Sequence, residues 1–124
     1  LFSEFGEVSF HLVESDSKDH TQDTLRALAL SKPNFTFTSL GNLESSISTR
    51  TERLRVCRNE YVKRIRATTE RIDFVVVIDF DGMNRKLSKS GLKSSINQES
   101  FGVLVSQISF SDTTICMHLD VKTG

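Results

Sequence analysis

The chain has 124 residues, of which 37% are hydrophobic and 26% are charged, a composition typical of one globular domain. Sixteen basic and sixteen acidic residues cancel, so no net charge draws the chain toward nucleic acid or an anionic membrane. No apolar run approaches the roughly 20 residues of a membrane span, and we expect no secretion leader. Cys57 and Cys116 have no CxxC spacing, which favours unpaired thiols in a reducing compartment.

The first elements alternate between extended and helical spacing of the apolar residues. Asp19 is placed to cap the first helix, Pro33 to stop it, and Gly41 to end the strand that follows. The spacing predicts a strand, a helix and a second strand, over Val8–Val13, Thr21–Leu30 and Asn34–Leu40.

The longest predicted helix spans Thr49–Glu70, where Thr49 and Glu52 have the spacing of a capping box. Its apolar residues recur at steps of three and four and form one stripe. Its many arginines are typical of nucleic-acid binding, but interspersed acidic residues favour a solvated helix face. The apolar stripe consists of Leu54, Cys57, Tyr61 and Ile65, and the basic residues are Arg50, Arg53, Arg55, Arg58, Lys63, Arg64 and Arg66.

A third strand is predicted over Ile72–Phe80, and its continuous apolar run indicates burial on both faces. The order β-α-β-α-β predicts an α/β fold with a mostly parallel sheet and right-handed crossovers. Ligands of such sheets bind beyond the carboxyl ends of the strands. Two acidic turns, ESDSKD and DFDG, lie at those predicted ends, which is the first indication of a binding site.

The sequence DFDG places Asp79 and Asp81 two residues apart at a strand end, so both are expected on the same side. Two carboxylates this close repel each other unless a cation lies nearby, and oxygen ligands suit Mg²⁺ or Mn²⁺. Gly82 allows the backbone a sharp turn. Three interpretations fit: acids that cap a loop, the DxD site of nucleotide-sugar glycosyltransferases, and the nucleophile loop of haloacid-dehalogenase-type phosphatases.

The position of the motif along the chain favours the glycosyltransferase interpretation. In the phosphatases that the motif resembles, it follows the first strand and a later acidic pair completes the site, whereas two βα units precede it here. The later acids form no pair in the sequence; they are Glu99, Asp112 and Asp120. A non-catalytic α/β interaction module also remains open.

Four stretches in order carry a more specific resemblance: HLVESDSKDHT, RLRVCRNEYVKRI, IDFVVVIDFDGMN and FGVLVSQ. Together they resemble a GT-A glycosyltransferase and are most similar to the capsule-associated mannosyltransferase-like family. The resemblance covers roughly residues 5–107. It implies a partial GT-A (Rossmann-like) three-layer domain over residues 1–107, part of a longer chain and lacking the first strand and the C-terminal half of the fold.

The resemblance also implies a function and residue roles. The expected reaction is transfer of a sugar from a nucleotide-diphosphate donor to a glycan or other hydroxyl acceptor, in the cytoplasm or, in a eukaryote, the Golgi lumen. Asp79 and Asp81 would hold Mn²⁺ or Mg²⁺, and Asp79 could also reach the ribose. The other expected donor contacts are Glu14, Asp16, Arg58, Asn59 and Asn84. No catalytic base is assigned, and we expect weak donor binding without turnover.

The family's next segment, YYD-x-x-ALR, is absent, and residues 112–124 read DTTICMHLDVKTG instead. A set of codons can be written for these residues that reads YYDMYALRCEDW in a shifted frame. We therefore interpret residues 108–124 as an out-of-frame tail, which incompatible codons in the DNA would exclude. On this interpretation Cys116, His118 and Asp120 have no function, and the stretch Ile115–Val121 is expected to pack poorly or remain loose.

Overall fold

The computed structural model describes residues 6–79, 88–96 and 114–122. The predicted order β-α-β-α-β up to Asp79 is confirmed, while a third helix, over residues 89–96, had not been predicted. Within the described ranges, no helix has the length and apolar character that crossing a membrane requires. The elements are β1 (Glu7–Ser15), α1 (Thr21–Ser31), β2 (Phe35–Ser39), α2 (Arg50–Ala67), β3 (Phe74–Asp79), α3 (Lys89–Ile96) and β4 (Thr114–Lys122).

The end of α1 before Pro33 is confirmed, whereas the N-cap is His20, which makes no side-chain capping hydrogen bond, and not the predicted Asp19. The Asp19 carboxylate accepts hydrogen bonds from the Thr21 hydroxyl and the Thr21 backbone N–H. These bonds favour the ionised form and lower the pKa of Asp19. At the other end Lys32 is extended, with φ −127° and ψ 108°, as the residue before Pro33 must be to avoid the proline ring.

The capping box predicted at the start of α2 is wrong. Thr49 is the N-cap residue, but its side chain makes no capping hydrogen bond. The Glu52 carboxylate accepts hydrogen bonds from the Arg55 guanidinium instead of reaching back. This contact lowers the pKa of Glu52 and raises that of Arg55. An ion pair three residues apart on the helix surface has therefore replaced the expected cap.

The four described strands form one sheet in the order β2-β1-β4-β3. Strands β1 and β2 are parallel, and β4 is antiparallel to both β1 and β3. Strands β1, β2 and β3 consequently run in the same direction. The predicted α/β class is confirmed, and the sheet is mixed because β4 runs against the other three strands.

The expectation that residues 115–121 remain loose is wrong, because β4 pairs on both of its edges. Its register with β1 sets Val121, Leu119 and Met117 opposite Val8, Phe10 and Leu12. Its register with β3 sets the same three positions opposite Phe74, Val76 and Ile78. Directly opposite positions share a face of the sheet. The alternation of apolar residues in TICMHLDVK therefore matches the apolar face of both neighbouring strands, and this match explains why the segment fits as a strand.

The two longer helices lie on opposite faces of the sheet because neighbouring residues of β1 point to opposite sides. Leu12 packs with Leu25 of α1 and Phe35 of β2. Val13 packs with Cys57 and Tyr61 of α2. The sheet thus has one of these helices on each face, and β1 contributes residues to a separate apolar cluster on each side.

The prediction that the third strand is buried on both faces is wrong in the described structure. Phe74, Val76 and Ile78 pack in one cluster with residues of β1. On the other face, Val75 and Val77 are 39% and 47% exposed. The helix on that face, α2, packs mainly over β1 and β4. Val75 and Val77 are exposed because β3 is the last strand of the described sheet, and not because of their residue type.

Candidate functional site

The ends of β1 and β3 lie at the same edge of the sheet, because these strands run in the same direction. Strand β1 ends at Ser15 and β3 ends at Asp79, with the beginning of β4 between them. Two strand spacings separate the two ends by roughly 10 Å. The helices that follow β1 and β2 lie on opposite faces, the arrangement that opens a crevice at the carboxyl edge of α/β sheets.

The metal ligands predicted from DFDG are only partly within the described structure. Asp79 is the last residue of β3, and its backbone pairs with that of Cys116. Asp81 and Asn84 lie outside the described residues. In the ranges 6–79, 88–96 and 114–122, no three His, Cys, Asp or Glu residues come together as a metal site. The metal site at Asp79 and Asp81 therefore remains a prediction.

Glu14 is fully buried at the end of β1, and both of its carboxylate oxygens have partners. Oε2 accepts a hydrogen bond from the Ser17 hydroxyl (2.7 Å), and Oε1 accepts one from Ser39. Ser39 in turn accepts a hydrogen bond from the side-chain amide of Gln22 at 3.1 Å. A nucleotide contact from Glu14, as predicted from the resemblance, would require one of the two serines to move.

Asp16 follows β1 in an unusual backbone conformation. Its φ is +64°, in the left-handed region that residues other than glycine occupy at a cost. Three hydrogen bonds hold it there: its backbone N–H donates to Gly41 O (2.8 Å), its Oδ1 accepts from the Glu44 N–H (2.8 Å), and its Oδ2 accepts from the Ser15 hydroxyl (2.9 Å). Asp16 therefore joins the end of β1 to the loop over residues 41–48.

Arg53 completes this arrangement, and for this residue the predicted solvated helix face is wrong, because Arg53 is buried. Its side chain is 4% exposed, and its Nε lies 3.5 Å from Oδ2 of Asp16, whose side chain is 1% exposed. Its Nη1 donates to the backbone oxygens of Ile47 (2.9 Å) and Ser48 (3.0 Å). Within the described part of the chain, Nε finds no hydrogen-bond acceptor. The sequence could have predicted its burial, because Arg53 lies four residues before Cys57 and eight before Tyr61, on the buried stripe of α2.

Arg58 and Asn59, the other predicted donor contacts, are exposed on α2. They follow directly after Cys57, whose side chain points into the core, so they lie on a different side of the helix from Arg53. The structure thus brings Glu14 and Asp16 together at the end of β1 and leaves Arg58 and Asn59 on the helix surface. Their role in nucleotide binding stays a prediction.

Cys57 is a free, fully buried thiol beneath this cluster. It donates a weak hydrogen bond to the Ser15 hydroxyl, with 3.7 Å between Sγ and Oγ. Burial raises the pKa of the Cys57 thiol, and the nearby Asp16 and Glu14 carboxylates act in the same direction. The expectation of an unpaired thiol is confirmed for Cys57, whose raised pKa makes it a poor nucleophile at neutral pH.

The raised pKa of Cys57 predicts a pH dependence of stability. A thiol whose pKa is higher in the folded chain than in the unfolded chain contributes its full stabilisation at pH values below the pKa of the unfolded chain. This contribution is lost as the pH rises from that value through the pKa of the folded chain. Between pH 7 and pH 10, across the ordinary value of 9.0, we expect the free energy of unfolding to fall more steeply for the natural chain than for Cys57→Ala. Urea unfolding of both at several pH values measures the difference, and equal slopes would contradict the assignment.

Comparisons of the chain with protein-family models, with curated proteins and with solved structures find no match.

Proposed function

We propose that this chain is part of a metal-dependent glycosyltransferase of the GT-A type, which binds a nucleotide-diphosphate sugar and serves sugar transfer to a hydroxyl acceptor in capsule, polysaccharide or other glycan synthesis. The observation that supports it best is the shared edge of β1 and β3. Asp79 ends β3 at the edge where β1 ends in Glu14 and Ser15 and is followed by Asp16, and helices on opposite faces are the arrangement in which α/β sheets bind ligands at this edge.

The donor set of the motif suits a divalent ion. Asp79 and Asp81 offer carboxylate oxygens, the ligands preferred by Mg²⁺ and Mn²⁺, which bind proteins through one or two carboxylates together with substrate phosphates. When bound, such an ion supplies Lewis-acid stabilisation of the charge that develops on the leaving diphosphate. Asn84 would position the loop after the motif or contact the donor.

The residues of β1 and α2 would bind the nucleoside part of the donor. Asp16 holds the 41–48 loop at the same edge of the sheet, so the nucleoside would lie against this loop. Glu14 would contact the base or ribose after releasing one of its two serine hydrogen bonds. Arg58 and Asn59, exposed on α2, are candidates for further nucleotide contacts.

Titration of the 124-residue chain with nucleotide-sugars in the presence and absence of Mn²⁺ tests the proposal. We expect binding that depends on Mn²⁺, and a loss of about tenfold or more in affinity, equivalent to about 1.4 kcal/mol, in Asp79→Asn and in Asp81→Asn. Each substitution removes one ionised oxygen ligand while keeping the size of the side chain. Glu60→Gln, which changes a surface acid paired with Lys63 on α2, is the matched control and should bind as the natural chain does.

Two outcomes would redirect the assignment. Nucleotide binding that survives both aspartate substitutions would exclude the metal role of the motif, and absence of any ligand binding would support an interaction module. A covalent aspartyl-phosphate at Asp79, trapped with a phosphoryl donor and located by mass spectrometry, would identify a phosphatase nucleophile instead.

A further inference from the structure

Loop residues 41–48 are held to the end of β1 by two buried charged side chains, Asp16 and Arg53. At the first half of the loop, the Asp16 backbone N–H donates to the Gly41 carbonyl, and the Asp16 carboxylate accepts a hydrogen bond from the Glu44 N–H. Arg53 binds the second half, through the carbonyls of Ile47 and Ser48. The two side chains meet at 3.5 Å. The two side chains of this ion pair therefore contact the loop at its middle, through Glu44, and at its end, through Ile47 and Ser48.

The loop has hydrogen bonds of its own, from Ser45, Ser46 and Ile47 back to Asn42 and Leu43, which hold its shape, and the Gly41 N–H donates to the Ser39 hydroxyl of β2. Its residues are exposed except for Leu43 and Ile47, which are partly buried, with Leu43 packed against the cluster around Val13. Gly41 has a φ of +67° and open space around its α-carbon. Lys18 and Glu44 form an ion pair across the surface at 3.2 Å, which is screened by solvent and worth little. The buried pair consequently supplies the buried charged contacts that tie the loop to the end of β1.

The location of the loop gives this pair a functional consequence. Residue 41 follows β2, so the loop begins at the same carboxyl edge at which β1 ends and Asp79 lies. In the proposed site, a nucleotide whose diphosphate lies near Asp79 extends its nucleoside along this edge, toward β1 and the loop. A displacement of the loop would change the wall against which the nucleoside lies, while leaving the carboxylates of the motif where they are.

We propose that Arg53 is a positioning residue for nucleotide binding: through Asp16 and the carbonyls of Ile47 and Ser48 it sets the 41–48 loop as the nucleoside wall of the donor site. This inference rests on the proposed function, since it assigns a role within that same site. Arg53 has no contact with the donor in this scheme, and its effect is transmitted through the loop.

The experiment compares binding of Mn²⁺ alone with binding of nucleoside diphosphates in the presence of saturating Mn²⁺. Uridine, guanosine, adenosine and cytidine diphosphates serve as probes. In Arg53→Lys the charge is kept, but the fork that spans two carbonyls and Asp16 is lost. We expect the Kd for Mn²⁺ to be unchanged and the Kd of the preferred diphosphate to rise about tenfold. Arg55→Lys, an exposed arginine on the same helix, should leave both constants unchanged.

A second variant changes the loop without touching the buried pair. Gly41→Ala meets no neighbouring atom within 4 Å but strains a backbone position at φ +67°. We expect the same signature, weaker diphosphate binding with unchanged Mn²⁺ binding, even if Arg53→Lys fails to fold. A purely structural role would lower the unfolding temperature without separating the two binding constants.

The outcomes distinguish this inference from the proposed function. If the natural chain binds none of the four diphosphates with Mn²⁺, the proposed function fails and this inference fails with it. If the natural chain binds a diphosphate and both variants bind it equally well, only the role of Arg53 and the loop is overturned. A parallel loss of Mn²⁺ binding in the variants would also overturn it, because the effect would then not be confined to the nucleoside wall.

Discussion

Deletion of residues 114–124 is expected to abolish cooperative unfolding of the chain. Strand β4 pairs along nine residues with β1 and along six with β3, and it is the strand that joins them in the described sheet. At about 1 kcal/mol for each backbone hydrogen bond, the loss is on the order of 10 kcal/mol. This is comparable with the whole stability of a small domain, about 5–15 kcal/mol. Circular dichroism during urea unfolding measures the effect.

Removal of residues 123–124 alone is the matched control, since it shortens the chain beyond the end of β4. We expect it to unfold with the same midpoint as the natural chain. A cooperative transition that survives the longer deletion would show that the segment contributes little to the fold. That result would agree with the interpretation of residues 108–124 as an out-of-frame tail. The pairing of β4 does not test this interpretation, which concerns the reading frame of the DNA.

Replacement of Arg53 by methionine is expected to lower the free energy of unfolding by about 3–5 kcal/mol. Methionine fills a similar space but leaves the Asp16 carboxylate buried without its cation, and removal of one partner from a buried ion pair has a cost of this size. It also removes the donor for the carbonyls of Ile47 and Ser48. Urea unfolding at pH 7 gives the difference between variant and natural chain.

Arg55→Met on the same helix is the control for this prediction. It removes the same charge from an exposed position, where the ion pair with Glu52 is open to solvent and contributes little. Equal destabilisation by the two substitutions would show that burial of the Asp16–Arg53 pair does not matter to stability. Asp16→Asn combined with Arg53→Met should be less destabilising than the sum of the separate effects, because the two side chains form one network.

Part of the candidate site could be predicted from residue types alone. An apolar run that ends in Asp79 identified a strand with an acidic carboxyl end, and ESDSKD after the first strand placed a second polar group at the same edge. Both positions are confirmed as strand ends on one edge, because the parallel direction of β1 and β3 follows from the intervening helices. The pairing partners of the acids could not be predicted in the same way. The Glu14 carboxylate accepts hydrogen bonds from two serines, one of them 25 residues away in the chain.

The amino-acid sequence by itself determined the α/β class, the end of α1 before Pro33, and the buried stripe of α2, because these depend on contacts and periodicities within a few residues. Only the tertiary structure decided the place of β4, the exposure of Val75 and Val77, and the burial of Arg53 against Asp16. Each of these depends on which distant segment packs alongside. Burial and strand pairing depend on two segments that pack together, whereas helix ends and hydrophobic periodicity depend on the residues of a single segment.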